Sequence, residues 1–323
     1  RFRAKRLQQF MSDLPISRTD TSASPFQVCG TDLFGPIGVV IKRSTHKRWI
    51  AIFSCHVTRA IHLEPLFGLE SSNYINALRR FIARRGRVDK LTLDNATTFK
   101  GAERELKEAL DQWNNDPNFG HFMKQQGIEF QYQPPYGSWF GGHHERLIRS
   151  CREHLRHVLS EQKLDDERLT TLLAECENIV NSRPLVPTSD DPEDYRALTP
   201  NDLLIHRTQV GLPPGIFTAT DAIRRRWKQV QYLTDLFWRR YLRDYLPLLH
   251  KRQKWITPQR NIREGDLVML HDDNAPRNSY VLARVIEALP SPHDGFVRVV
   301  KVRTPTATYT RPIGKLYLLK KTE

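Results

Sequence analysis

The chain has 323 residues, 39% of them hydrophobic, and carries 50 Lys and Arg against 36 Asp and Glu for a formal net charge of +14. This length suggests about two domains, the apolar fraction excludes disorder as the main reading, and the positive excess points to a polyanionic partner whose phosphates Lys and Arg would neutralise. No apolar run approaches the roughly 20 residues that cross a bilayer, so no membrane partner is expected. The four cysteines, Cys29, Cys55, Cys151 and Cys176, are far apart with no CxxC pair, which argues against a zinc site and a disulfide framework and fits a reducing compartment. The opening, Arg1-Phe-Arg-Ala-Lys-Arg-Leu7, has no apolar signal-peptide core, and a start without Met suggests a piece of something longer.

Residues 1–25 are basic and irregular and read as a lead-in. Apolar runs at 26–34, 37–42 and 49–55, with an alternating run at 60–65, predict an antiparallel meander. Tyr74, Ile75, Leu78, Phe81 and Ile82 then form a helical stripe over 71–85, with Ser71 as expected N-cap and Gly86 as the stop. A buried-looking strand follows at 88–94, two helical pieces at 102–113 and 118–126, and a short strand at 128–133. A Pro/Gly-rich loop, 134–142, leads into a long helix with Leu147, Ile148, Cys151, Leu155, Val158 and Leu159 on one stripe, and a second helix spans about 166–182. Strands, a crossover helix, a further strand and more helices are the order of an α/β, RNase H-like layer architecture over 26–183, a mixed sheet flanked by helices.

Pro, Asp and Gly accumulate over 184–221, which reads as a linker with one brief helix signal at Thr199-Pro-Asn-Asp-Leu-Leu204, Thr as cap and Pro at the first helical position. Residues 222–262 form a basic helical segment carrying Trp227, Tyr232, Phe237, Trp238, Tyr241 and Tyr245, aromatics expected to pack. Over 222–263 there are 12 Lys and Arg against 2 Asp and Glu. Short strands at 266–271, 280–288, 296–304 and 308–312 then predict a small SH3-like all-β barrel over 263–323.

Three carboxylates stand out against this layout. Asp32 sits within a strand, Asp94 ends another, and Glu145 opens a helix, settings that carry all three to one sheet edge. In-line displacement at a phosphodiester gains from two cations about 3.5–4 Å apart. Hard Mg²⁺ or Mn²⁺ favours carboxylate oxygens, so Asp32 bridging both ions, Asp94 completing one site and Glu145 the other would make a sufficient cage. Taken singly, each acid also fits a plain role: Asp32 as a buried hydrogen-bonded acid, Asp94 as a turn former, Glu145 as a first-turn residue favoured by the helix dipole.

The segments Gly30-Thr-Asp-Leu-Phe-Gly-Pro36, Thr58-Arg-Ala-Ile-His-Leu-Glu64, Arg79-Arg-Phe-Ile-Ala-Arg-Arg-Gly86, Leu93-Asp-Asn-Ala-Thr-Thr-Phe99, Gly101-Ala-Glu-Arg-Glu-Leu106, Phe140-Gly-Gly-His-His-Glu-Arg146 and Asn181-Ser-Arg-Pro-Leu185 resemble those of BEL/Pao-type LTR-retrotransposon integrases. The resemblance runs from Phe2 to about Leu319. It implies an RNase H-like core whose catalytic, metal-binding acids fall on Asp32, Asp94 and Glu145, 62 and 51 residues apart. It implies end processing by activated water, attack of a 3′-hydroxyl on target DNA, two Mg²⁺ or Mn²⁺ ions, double-stranded DNA as partner (element ends and target), and a homo-oligomer that unites two ends. It also implies a cytoplasmic particle that becomes nuclear when integrating, and an upstream His/Cys zinc-binding domain before Arg1. One departure is Ala96, where the family usually has Gly; a left-handed backbone there would cost about 1–2 kcal/mol.

Arg149 and Arg152 follow Glu145 by four and seven residues on nearly the same helical face, either gripping DNA beside the metals or forming a solvated basic face. Arg224, Arg225, Arg226 and Lys228 are further candidates for DNA phosphates, with Arg239, Arg240 and Arg243 behind them, and Trp139 and Phe140 would wedge a frayed end or pack. His143-His144 reads as surface, and His154-x-x-His157 lacks a Cys or carboxylate at zinc-ligand spacing. Two rival functions remain: a catalytically inactive, decayed or host-adopted DNA-binding protein derived from an integrase, and a plain RNase H-like nuclease.

Overall fold

The computed structural model describes residues 19–20, 22–93, 108, 112–113, 115–132, 138–188, 191, 194–207, 215, 217–218, 220, 226–249, 260–272 and 275–321, with the backbone alone for 93, 130–132, 138–147, 161 and 247–249. The expected helix at 102–113, the basic lead-in and the Ala96 turn lie largely or wholly outside these residues.

The first half is a mixed five-stranded sheet. β1 (Val28–Ile41), β2 (Ser44–Cys55) and β3 (Ile61–Leu66) pair antiparallel, while β4 (Lys90–Leu93) and β5 (Glu129–Tyr132) run parallel to β1, giving the order β3-β2-β1-β4-β5. The apolar runs expected as two strands at 26–34 and 37–42 are one strand, so the meander has three strands. The chain passes Gly35 and Pro36 through a register shift between Phe34 and Ile37. An extra residue reverses which side chains face which side: Phe34 packs with Ile37 and Val39 rather than with Leu33. Only glycine serves at 35, because its φ is +150° and a Cβ would lie 2.6 Å from Trp49 Cδ1.

The sheet is covered on both faces, which is why β2 is buried without a break from Trp49 to Cys55. One face carries α1 (Ser71–Arg85) and α2 (Pro117–Gln125), whose Tyr74, Phe81, Phe119 and Met123 pack on Leu33, Ala51 and Phe53. Ser71 is not the cap of α1: Glu70 holds that position, and the Ser71 hydroxyl donates instead to Asp116 Oδ2. Gly86 does end the helix, at φ +96°. The other face carries α3 (Ser138–Glu161) and α4 (Asp166–Asn181). α3 begins at Ser138, so most of the stretch expected as a loop to Gly142 is helical.

α4 also closes the sheet edge. Asn181 accepts the Ile61 amide at its Oδ1 and donates its Nδ2 to the Ile61 carbonyl, both at 2.8 Å, and Glu177 Oε2 accepts the Leu63 amide at 2.9 Å. His62, on β3 between these two bonds, points to the opposite face and lies between two carboxylates, 3.1 Å from Glu64 Oε1 and 3.0 Å from Glu177 Oε2. Arg80 and Arg84 pair with Glu64, and Arg85 pairs with Glu177. Arg85 Nε lies 3.3 Å from His62 Nδ1 as well; with an imidazolium donating from Nδ1 to Glu177, the carboxylate is the true partner of both. Burial pulls the His62 pKa down, but its bonds to Glu177 and Glu64 outweigh that and the net shift is upward. For Glu64, burial raises the pKa and the bonds from His62 and Arg80 more than reverse it.

Within the stretch expected as a linker, β6 (Val186–Pro187) and β7 (Ala197–Leu198) pair antiparallel, and α5 (Pro200–Ile205) follows. Its cap is the one the sequence announces, with Thr199 accepting from the Asp202 amide and Asp202 accepting from that of Thr199. The basic aromatic segment contains α6 (Arg226–Leu249). Val230, Leu233, Phe237, Tyr241 and Leu246 enter the same apolar cluster as α3 and α4, so this cluster crosses the boundaries expected at 183 and 222. The C-terminal sheet is antiparallel, β8 (Leu267–Leu270), β9 (Leu282–Pro290), β10 (Val297–Arg303), β11 (Thr308–Pro312) and β12 (Leu316–Lys320), in the order β11-β10-β9-β8-β12. β12 is one strand more than expected. It packs Tyr317, with Met269 and Leu282, into the cluster around α6. No helix among the described residues is long and apolar enough to cross a membrane.

Two outcomes follow from the sealed β3 edge. Asn181→Ala leaves a buried amide and a buried carbonyl without partners at about 1–3 kcal/mol each, so denaturant unfolding should show a loss of about 2–6 kcal/mol. The His62 pKa is raised, so its contribution is complete below its ordinary 6.5 and fades as pH rises through the folded value; Glu64 is lowered, so its contribution is complete above its ordinary 4.5 and fades as pH falls through the folded value. The stability difference between the natural chain and His62→Gln should therefore be greatest between about pH 4.5 and 6.5 and shrink at higher pH; a difference flat from pH 6 to 9 would show His62 to be neutral.

Candidate active site

Asp32 is the fifth of the seven β1 residues before the bulge, and strand alternation turns it toward α3, on the side of Phe34 rather than of Leu33. It is 8% exposed. Its Oδ1 accepts the amide of Leu33 at 2.9 Å, and its Oδ2 accepts Arg152 Nη1 at 3.2 Å. A buried carboxylate is tolerated when it is hydrogen-bonded and charge-paired, and both conditions are met.

β4 pairs with β1 through Thr31 opposite Leu93, its last residue. Asp94 is the next residue in the sequence and lies outside the described residues. Glu145 lies on α3, with its backbone described and its side chain not. Arg149 and Arg152 lie four and seven positions further along α3, and seven residues of helix rise about 10 Å. Arg149 is exposed; Arg152 is half-buried and turned onto Asp32. The structure thus joins Asp32 to the helix of Glu145 through Arg152, a contact the sequence reading missed. Its one sequence signal is a basic residue two helical turns after Glu145.

The remaining basic candidates stand elsewhere. Arg226 is exposed at the start of α6, 3.8 Å from Asp165 Oδ2, and the Lys228 ammonium lies 5.9 Å from the ring centre of Trp227. Arg224 and Arg225 lie outside the described residues, as do the side chains of Trp139, Phe140, His143 and His144. Among the described residues no group of three or more His, Cys, Asp or Glu is placed to hold a metal ion, and two of the three expected ligand side chains are not among them.

α3 is held in place from behind by α6. His154 is 5% exposed and packs edge-on against Phe237 and Tyr241, 6.1 and 6.2 Å between ring centres. Its Nε2 is 3.1 Å from Ser150 Oγ and 3.7 Å from Asp244 Oδ2. Both contacts fall on one ring nitrogen, so the three residues are not a nucleophilic relay. Burial lowers the His154 pKa, against the opposing charge of Asp244. Cys151, on the inner stripe of α3, is fully buried, and burial pushes its thiol up to about 12.

Residues 225–319 match the model of a family of unknown function, DUF5641. No curated protein matches the chain. Among solved structures, the chain is similar to a chain of the simian T-cell lymphotropic virus intasome in complex with PP2A regulatory subunit B56 gamma, at 13% identity over 98% of this chain and 85% of that one, with a TM-score of 0.40. The HTLV-2 integrase catalytic core domain in complex with magnesium is similar in its trimeric form at 14% identity, over 56% of this chain and 97% of that one, TM-score 0.36. Its dimeric form matches at 15%, over 49% and 88%, TM-score 0.31.

The α3–α6 contact makes its own prediction. The Tyr241 hydroxyl is buried with no hydrogen-bond partner, and burial raises its pKa well above the ordinary value. Tyr241→Phe should be neutral or stabilising by up to about 1 kcal/mol, since it removes an unsatisfied polar atom, whereas Tyr241→Ala should cost about 3–5 kcal/mol by opening a cavity. Urea unfolding of the two variants distinguishes a packing role from a polar one.

Proposed function

We propose that the chain is an integrase of the LTR-retrotransposon type, a polynucleotidyl transferase with an RNase H-like core and an SH3-like C-terminal unit that joins element DNA to target DNA. The observation that carries this reading is the placement of Asp32. It is a buried acid on β1, next to the end of β4 that runs into Asp94, and it is tied to the helix bearing Glu145. The sheet order, three antiparallel strands extended by two parallel ones, is the order expected of that core.

Asp32, Asp94 and Glu145 would hold two Mg²⁺ or Mn²⁺ ions. The donor set fits, because hard divalent cations prefer carboxylate oxygens and need few protein ligands when substrate phosphate supplies others. When bound, such ions activate the attacking oxygen and stabilise the leaving one. The chain's own residues orient the parts. The Leu33 amide fixes one oxygen of Asp32, and burial among the β1 and α3 side chains limits water around it. The exposed Arg149, four residues after Glu145 on α3, would take a DNA phosphate, and Arg226 and Lys228 on the first turn of α6, with Arg224 and Arg225 before them in sequence, would bind further phosphates. Double-stranded DNA is the partner, and two copies or more are needed to bring two ends to one target. The reaction belongs in the nucleus, following assembly in a cytoplasmic particle.

A strand-transfer assay with Mg²⁺ or Mn²⁺ tests this. Joined product should form, and Asp32→Asn, Asp94→Asn and Glu145→Gln should each lower it about a hundredfold or more while DNA binding persists. DNA binding without any joining would instead mark a non-catalytic DNA-binding protein, and cleavage of RNA/DNA hybrid without joining a nuclease.

A further inference from the structure

Arg152 and Asp32 form an incomplete pair. A guanidinium that meets a carboxylate squarely gives it two parallel N–H groups. This protein makes such pairs elsewhere: Arg48 holds Asp166 through Nε at 2.8 Å and Nη2 at 2.9 Å, and Arg260 holds Asp266 through Nη1 at 3.0 Å and Nη2 at 2.7 Å. Arg152 instead gives Asp32 one nitrogen at 3.2 Å, while its Nε is buried with no hydrogen-bond partner. Asp32 directs one oxygen to the Leu33 amide, so a single oxygen meets the arginine. The Arg152 side chain is 22% exposed, which leaves it a route outward along the stripe that carries exposed Arg149.

A one-handed pair is weak enough to exchange and strong enough to keep a buried carboxylate oriented. A divalent cation and Arg152 compete for the same oxygen, Oδ2. A guanidinium displaced from it, with Nε already unpaired, suits the forked geometry of a phosphodiester. We infer that Arg152 is an exchangeable counter-ion: it holds Asp32 ready, yields Oδ2 to a divalent cation, and then turns onto a backbone phosphate of nucleic acid. This rests on the reading of Asp32 as a metal ligand, and it makes Arg152 a positioning residue. The consequence is a linkage. Cation binding frees Arg152 for phosphate and so tightens nucleic-acid binding, and nucleic acid strengthens cation binding by the same factor.

The test uses the full chain, Mn²⁺ alone in calorimetric titration, and a labelled double-stranded DNA oligonucleotide in anisotropy with and without Mn²⁺. In the natural protein Mn²⁺ should tighten DNA binding about fivefold or more. In Arg152→Gln, Mn²⁺ should bind more tightly than to the natural protein and the DNA affinity should no longer respond to it; Arg152→Lys, which restores the charge, should restore part of the response. Unchanged or weaker Mn²⁺ binding in folded Arg152→Gln, or a DNA response that persists there, overturns the exchange. An Arg152→Gln chain that fails to fold does so too, because the pair would then be structural. If Asp32→Asn binds Mn²⁺ as the natural chain does, the carboxylate site itself is wrong and both readings fall.

Discussion

The buried stripe of α6 faces two ways. Phe237 and Tyr241 lie against α3 at His154, and Trp238 lies edge-on to Tyr280, 5.0 Å between ring centres, while donating its indole N–H to the Ala275 carbonyl. Tyr280 in turn donates to the Ile179 carbonyl on α4. One helix therefore joins the first sheet's outer layer to the C-terminal sheet. The position of α3, and with it of Arg152 and the backbone of Glu145, depends on packing supplied from some 80 to 100 residues further along the chain. Large aromatic side chains suit this role because each contributes extensive apolar contact with few rotatable bonds.

The count of 50 Lys and Arg overstates how many cations are free for a polyanion. Many arginines are consumed inside the fold. Arg277 is about 5% exposed at its side chain and lies 3.7 Å from Glu175 and 3.6 Å from Asp235, with a bond to Gln231. Arg183 is buried and ties the Val180 and Arg59 carbonyls. Arg80, Arg84 and Arg85 serve the two acids around His62. Each such arginine brings its own acid or carbonyls, so the cations that face solvent are Arg149, Arg226 and similar exposed groups.

Periodicity made α1 and α4 legible, because their buried residues repeat at helical spacing on one face. The Thr199 cap was legible for the same reason: its chemistry is local. What could not be read was set by contacts distant in sequence. Gly35-Pro36 looks like a strand break, yet Trp49 packs over Gly35 and the strand continues through a bulge. Gly141 and Gly142 look like loop residues, yet α3 runs through them. Asp32 was singled out correctly as a strand-borne acid, but its partner lies 120 residues away and no local pattern names it.

The side chains of Glu177 and Asn181 bear on assembly. A strand at the border of a sheet ordinarily invites another strand to hydrogen-bond along it. Here α4 already occupies the outward amides of Ile61 and Leu63. A second copy of the chain cannot extend the sheet on that side, so copies that meet there must do so through side-chain surfaces, which can separate and rearrange without breaking a backbone ladder.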